Sequence, residues 1–364
     1  MGDKVRVCVL FGGRSCEHEV SVTSARAVLD AIDKDKYEVT MIGVTKEGRW
    51  LAPADAAPLL QAGVVEEGQW PAAVLDYSGT RSLAVQGAGS PGQQVDVVLP
   101  ILHGPFGEDG TVQGFLELAG VPYVGSGVLG SAVGMDKEMM KRIFRDEGLA
   151  QVDFDAVRRP RWDRQPEAVL DQIEAKFAYP LFIKPANLGS SVGVSKAFDR
   201  DGLVRAIDQG FRFDSKIIVE AEARDCREVE CAVLGNDEPQ ASVVGEVVPC
   251  NEFYDYEAKY VADDSELHIP ARIAPETGER VRQLAVQAFQ AVEAAGLARV
   301  DFFVDKASEA VSINEINTIP GFTPISMYPK LWAASGISYG ELIDRLIQLA
   351  LERHAQRQHV RTSL

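Results

Sequence analysis

The sequence predicts an α/β protein of more than one domain, and three stretches carry that expectation. The chain opens on a β-branched strand, Lys4 to Phe11, which runs into Gly12-Gly13 and then into Val20 to Ile32, where apolar residues recur at helical spacing. Strand, glycine turn and helix begin an α/β unit, whose ligands gather at the carboxyl ends of its strands. The second stretch, Pro180 to Lys196, reads as strand, small-residue loop (Asn187 to Gly193), strand. The third, Arg299 to Ser326, reads as two strands joined by the polar turn Asp305 to Ser308, then a Pro/Gly loop that can continue neither. A chain of 364 residues is long enough for two or three domains.

Composition narrows the partners. The chain is 46% hydrophobic and 25% charged, an ordinary globular balance. Its net charge of −17 argues against nucleic acid or an anionic membrane surface as partner. A phosphate-bearing ligand would need a local cluster of lysines, arginines and backbone amides. The five cysteines are odd in number and lack C-x-x-C spacing, which suggests neither a zinc site nor a disulfide framework. The apolar run Val7 to Phe11 is too short for a signal peptide and no stretch approaches a membrane span, so a reduced, cytoplasmic protein is expected.

In chain order, Glu17 lies in the first turn after the opening strand, where it would either bind an ammonium group or complement the helix dipole. Tyr37 to Val44 reads as the second strand, and residues 46–94 as an elaborated surface segment with short strands such as Ser82 to Val85. Val95 to Leu102 is a buried strand ending at His103-Gly104-Pro105-Phe106-Gly107-Glu108-Asp109-Gly110, before a helix over Thr111 to Leu118. His103 is either structural or, by its place at a strand end, functional. Residues 126–134 read as a linker. A helix over Met135 to Glu147 opens with Asp136-Lys137 and is closed by Gly148. The Pro/Arg stretch from Arg158 to Arg164 reads as irregular, and Pro166 to Phe177 as an amphipathic helix.

Lys184 ends the next strand, facing a loop whose unobstructed backbone amides and two serines either close over phosphates or form a flexible hairpin tip. The loop is not a P-loop, since it lacks G-x-x-x-x-G-K-[ST] and no helix follows. Leu203 to Phe211 is a helix, Lys216 to Glu220 a strand running into Glu220-Ala221-Glu222-Ala223, and Arg227 to Val233 another strand. That junction has the carboxylates and backbone a nucleotide hinge needs. Asn251 to Tyr260 has three tyrosines among alternating charges and no apolar period, as a surface lid would. Glu276 to Ala295 and Tyr339 to Arg353 are amphipathic helices.

Between those last helices, alternation puts Arg299 and Asp301 on one strand face and Glu315 and Asn317 on one face of the next. Paired with those faces aligned, the strands would present two carboxylates, an amide and a guanidinium to one space, with Phe302, Val304, Val311 and Ile313 lining the buried parts. Hard oxygen donors suit Mg²⁺. The arginine fits a site where negative charge develops. A solvated hairpin with charges on its wet face is the plainer alternative.

Six segments together resemble the D-alanine–D-alanine ligases of the ATP-grasp superfamily: G-G-R-S-C-E-H-E-V-S at 12–21, H-G-P-F-G-E-D-G at 103–110, K-P-A-N-L-G-S-S-V-G at 184–193, Y-D-Y-E-A-K-Y at 254–260, R-V-D at 299–301 and N-E-I-N-T-I-P-G-F-T at 314–323. They occur in the family's order and span nearly the whole chain. The resemblance implies a three-domain α/β ATP-grasp fold. Its parts would be an N-terminal α/β domain over residues 1–130, a central domain over 131–223 and a C-terminal domain over 224–364. It implies ligation of two D-alanines with ATP for peptidoglycan precursors, through a D-alanyl phosphate.

Site roles follow from the same resemblance. Glu17, Ser190 and Tyr260 would anchor the first D-alanine's ammonium and close the lid, with His103 in that subsite. Arg299 and the Gly321 N–H would form the oxyanion site, and Ser326 would hold the second D-alanine's carboxylate. Asp301, Glu315 and Asn317 would hold two Mg²⁺ (or Mn²⁺), and Lys137, Lys184 and Lys259 would bind phosphates. Glu220, Glu222, Ala223 and Glu228 would meet adenine and ribose. A homodimer is implied, and a monovalent cation is left open. Relatives that make D-alanyl-D-lactate typically carry phenylalanine at the lid tyrosine, so Tyr260 favours the dipeptide.

Overall fold

The structure, a computed structural model, describes residues 4–53, 55–68, 70–76, 80–85, 93–248 and 266–360. The opening α/β unit forms as its pattern demands. Strand β1 (Val5–Gly12) is followed by helix α1 (His18–Ala31), then β2 (Tyr37–Val44) and the short β3 (Trp50–Leu51). After helix α2 (Ala57–Ala62) and a small antiparallel sheet of β4 (Ala73–Leu75), β5 (Ser82–Val85) and β6 (Gln93–Gln94), strand β7 (Val97–Leu102) returns beside β1. The order is β3-β2-β1-β7, with β2 and β7 both parallel to β1. Glu17 and His103 therefore follow neighbouring parallel strands at the same edge. Ser21 on α1 fixes this end by accepting from the Gly12 N–H and donating to the Ile101 carbonyl.

Residues 46–94 depart from the surface reading. Leu59, Leu60, Val65, Leu75 and Leu83 are buried core, and the Val65 N–H donates to His18 Nε2 at 2.9 Å. Their sequence lacks a sustained period because each short element contributes only one or two apolar residues. The 126–134 linker also gives way to structure. Helix α3 (Thr111–Leu118) is followed by α4 (Val128–Met135). Its small residues serve close packing: a Cβ at Gly130 would lie 2.4 Å from the Glu293 carbonyl oxygen, and one at Gly134 2.8 Å from Thr318.

Helix α5 (Lys137–Asp146) starts at Asp136, whose side chain accepts from the Met139 N–H at 3.1 Å. A second sheet then forms from β8 (Phe154–Arg158), β9 (Leu181–Pro185), β10 (Ser195–Ala197) and β11 (Lys216–Ala221) in the order β10-β9-β11-β8, antiparallel throughout. Helices α6 (Arg159–Arg164), α7 (Pro166–Lys176) and α8 (Arg200–Gly210) accompany it. The Arg158 to Arg164 stretch is thus a short helix rather than irregular, with Pro160 tolerated in its first turn and Trp162 buried.

The third sheet is β14 (Glu266–His268), β13 (Gln240–Val248), β12 (Cys226–Gly235), β15 (Gly296–Asp305) and β16 (Val311–Asn317), in the order β14-β13-β12-β15-β16. One face packs Val229, Val300, Phe302 and Ile313 against helix α9 (Pro275–Ala291), with Phe289 fully buried. Each such side chain contributes roughly 1.5–3 kcal/mol by leaving water. The other face carries the charged residues. Helices α10 (Met327–Ala334) and α11 (Tyr339–Gln358) close the chain against the first sheet's core. Among the described residues no helix is long and apolar enough to cross a membrane.

Candidate active site

The hairpin pairs as alternation requires. Arg299 lies opposite Asn317 and Asp301 opposite Glu315, with a register shift after Asp301 that leaves Asn314 as the extra residue. On the other flank of β15, Glu230 lies opposite Asp301 and Glu228 opposite Phe303. Of these, Glu228, Glu230, Asp301, Phe303, Asn314 and Glu315 line a cavity of about 630 Å³ whose walls also include Lys137, Lys184 and Glu220. Glu222 and Ala223, which follow β11 and form its hinge to β12, line the cavity as well. Lys137 Nζ donates to the Leu188 carbonyl at 2.8 Å and sits 3.4 Å from Glu315, tying α5 to both the serine loop and the hairpin.

The lysines are held by carboxylates. Glu220 lies between Lys141 Nζ at 2.8 Å and Lys184 Nζ at 2.6 Å, and is only 2% exposed. Burial alone would raise its carboxyl, but the two ammonium groups outweigh it and hold it at about 2. Burial pulls Lys141 below the usual lysine range, whereas in Lys184 the charges of Glu220 and Glu315 win over burial and raise it. On the hinge side Lys196 pairs with Glu222 at 2.7 Å. The Arg299 guanidinium forks onto Asp301 through two 2.7 Å hydrogen bonds, with Glu230 2.9 Å from Nε.

The first-sheet edge meets this cavity at the serine loop. Ser190 lines the cavity, and its hydroxyl donates to Glu17 Oε1. Ser190 and Ser191 both hold positive φ, 48° and 58°, an unusual conformation for residues with a Cβ that turns the loop onto Glu17. His103 is 3% exposed; its Nδ1 meets the Ile319 carbonyl at 3.1 Å and Glu108 at 3.4 Å. Burial pulls His103 down, yet Glu108 and the Glu17 charge raise it overall, and burial raises the Glu108 carboxyl. The two groups therefore titrate as a linked pair.

Gly321 and Ser326 lie on the loop after β16, where a Cβ at Gly321 would come 3.0 Å from Ser326 Oγ. That hydroxyl bonds Thr323 at 2.7 Å, and Asn317 Oδ1 accepts from the Ile319 N–H at 3.2 Å. The tyrosine-rich stretch with Lys259 and Tyr260 lies outside the described residues. Sequence reasoning missed Lys141, Lys196, Glu108 and Glu230. Two of these had a visible signal: Lys141 is one helical turn from Lys137, and Glu230 alternates with Glu228.

A family model described as D-ala D-ala ligase N-terminus matches residues 6–126, and one described as D-ala D-ala ligase C-terminus matches residues 143–348. The chain belongs to the D-alanine–D-alanine ligase family. It is 51% identical over 377 residues to a D-alanine–D-alanine ligase of Acetivibrio thermocellus, spanning 97% of this chain and 98% of that one. Identity to the Geobacillus kaustophilus D-alanine–D-alanine ligase is 50% over 359 residues, spanning 98% and 97%. Among solved structures, the VanG D-Ala:D-Ser ligase of Enterococcus faecalis superposes with a TM-score of 0.86 at 36% identity, covering 96% of this chain and 100% of that one. The D-alanine–D-alanine ligase of Coxiella burnetii gives 0.84 at 36% identity, covering 98% and 97%. The fold is thus the ATP-grasp fold with an N-terminal α/β domain.

Proposed function

We propose that the protein joins two D-alanines into D-alanyl-D-alanine with ATP, for peptidoglycan precursors, as a cytoplasmic homodimer divided near residues 130 and 223. The observation that carries the reading is Ser190, which lines the cavity holding Lys137, Lys184, Asp301 and Glu315 while donating to Glu17 at the first-sheet edge. An amino-acid ammonium held at Glu17 and a nucleotide held in the cavity would be neighbours.

A free carboxylate is a poor acyl donor. In the first step a carboxylate oxygen of one D-alanine attacks the γ-phosphorus of ATP, and the bond to ADP breaks. In the second, the amine of the other D-alanine attacks the acyl carbon of the acyl phosphate, loses a proton and expels phosphate. Glu17 and Ser190 position the first ammonium, His103 flanks that subsite, and Ser326 receives the second carboxylate. Lys137, Lys184 and Lys259 hold phosphate oxygens. Arg299 and the Gly321 N–H stabilise the oxyanion of the tetrahedral intermediate, and Tyr260 joins Glu17 and Ser190 in anchoring the first ammonium. Glu220, Glu222, Ala223 and Glu228 bound the nucleotide.

Among the described residues no three His, Cys, Asp or Glu side chains cluster as a metal centre. Asp301 and Glu315 nevertheless face one another, and the buried Asn314 amide oxygen beside Glu315 has no hydrogen-bond partner among the described residues. Oxygen donors of this kind fit Mg²⁺ or Mn²⁺. Asp301, Glu315 and Asn317 would hold it, and when bound it would neutralise charge on the transferring phosphoryl oxygens.

The test is phosphate release from ATP and Mg²⁺ with D-alanine, L-alanine, or D-alanine plus D-lactate, with products identified by mass. D-alanine-dependent release with D-alanyl-D-alanine as product is expected. Release that ignores the stereochemistry of alanine would sink the reading.

A further inference from the structure

Arg299 has one hydrogen on Nε, and two carboxylates stand against it. Asp301 Oδ1 accepts it at 2.7 Å, and Glu230 Oε2 lies 2.9 Å from the same nitrogen. One N–H cannot serve both acceptors fully. The strand register makes the arrangement systematic: Glu230 and Asp301 are directly opposite on β12 and β15, and Arg299 precedes Asp301 by two residues on the same face. All three are largely buried, with side chains 10–14% exposed, so none can trade its partner for bulk water at low cost.

Asp301 has a competing demand. Under the function proposed above, on which this inference rests, its oxygens face a divalent cation together with Glu315. A carboxylate forked onto a guanidinium through both oxygens is a poor cation ligand. If Asp301 turned away, the Arg299 Nε–H would need another acceptor, and Glu230 Oε2 already stands 2.9 Å from that nitrogen.

We propose that Glu230 is a positioning residue that takes over the Arg299 Nε–H when Asp301 turns to the cation, freeing Asp301 to ligate and keeping Arg299 fixed. Glu230 touches neither phosphate nor amino acid in this role. It acts through Arg299.

The experiment is a Mn²⁺ titration of the full chain with ADP, following free Mn²⁺ by electron paramagnetic resonance, for native protein, Glu230→Gln, Arg299→Met and the double variant. Glu230→Gln is expected to weaken Mn²⁺ binding about tenfold, the low end of what losing a partner behind a metal ligand costs. In the Arg299→Met background the same substitution should change binding less than about twofold, because no guanidinium remains to compete for Asp301. An equal loss in both backgrounds would mean that Glu230 acts only as a nearby charge, and no loss in either would mean that it does nothing for Asp301; both overturn the proposal. Should Glu230→Gln fail to fold, Glu230→Asp replaces it, with an intermediate loss expected only where Arg299 is present. If native protein binds no Mn²⁺ with ADP, the inference falls with the cation assignment. D-alanine-dependent phosphate release, scored separately, then tells whether the ligase reading falls too.

Discussion

Replacing Lys141 by methionine tests the buried charge triad behind Lys184, the proposed phosphate lysine. Lys141 lies on α5, 1% exposed, 2.8 Å from Glu220, which also holds Lys184 at 2.6 Å. Holding the Glu220 carboxyl at about 2 rather than 4.5 corresponds to roughly 3 kcal/mol in favour of its ionised form, shared between two lysines. Methionine matches the stem but removes the charge, and breaking a buried pair at one partner costs about 3–5 kcal/mol. Lys141→Met should therefore lose roughly 3 kcal/mol in urea unfolding. Lys184, left as the lone partner of Glu220, should be drawn toward it and raise the KM for ATP several-fold. The pH dependence has a definite sign. Glu220 has a lowered carboxyl, so its contribution is present above about pH 4.5 and is lost as pH falls toward about 2; the gap between native and variant should narrow over that window. A loss below about 0.5 kcal/mol, the range of unremarkable surface changes, together with an unchanged KM would refute the reasoning.

Other outcomes follow from single observations. Burial raises the Glu108 carboxyl to about 7, so the proton it binds contributes stability that is complete below about pH 4.5 and lost as pH rises through 7. Glu108→Gln should flatten the unfolding free energy across that interval, and an unaltered slope would count against the His103–Glu108 couple. Gly130→Ala should gain about 1 kcal/mol in helix propensity, yet destabilise overall, because its Cβ would lie 2.4 Å from the rigid Glu293 carbonyl; a higher melting temperature would contradict the close packing. Burial pushes the Cys8 and Cys231 thiols up to about 12, whereas Cys16 is exposed. A thiol reagent followed by peptide mapping should label Cys16 in the folded protein, and Cys8 and Cys231 only after denaturation. Tyr260→Phe should gain some use of D-lactate as acceptor, measured as depsipeptide by mass, and an unchanged acceptor preference would remove the role given to that hydroxyl.

How far the sequence could be read depended on the range of the forces involved. The hairpin's charged face was legible because strand alternation is local: Arg299, Asp301, Glu315 and Asn317 needed only a period of two to fall on matching faces. The bulge that makes Asn314 the extra residue left no such mark. The strand ends carrying Glu17 and His103 were equally visible, since glycine turns after apolar runs fix them. The 126–134 segment misled for a physical reason: glycine and serine weaken a helix in isolation, and the approach to Glu293 and Thr318 that requires Gly130 and Gly134 is made only in the tertiary structure.

The partners of the site residues were out of reach in the same way. Nothing in the local pattern says that Glu220 would be gripped by Lys141 from α5 as well as by Lys184, or that Glu230 would stand beside Arg299. These are contacts across elements, over 79 residues from Lys141 to Glu220 and 69 from Glu230 to Arg299. They also explain how an acidic chain can present cations to a nucleotide. Each site cation described here is backed by a carboxylate: Lys137 by Glu315, Lys141 and Lys184 by Glu220, Lys196 by Glu222, and Arg299 by Asp301 and Glu230. A buried lysine without such a partner would tend to lose its proton. In Lys184 the charges of Glu220 and Glu315 win over burial and raise it, and under the proposed function a triphosphate entering the cavity would compete with those carboxylates for it. The acidic balance near the cavity is therefore part of how the protein would keep Lys184, proposed above to hold phosphate, ionised before a nucleotide enters.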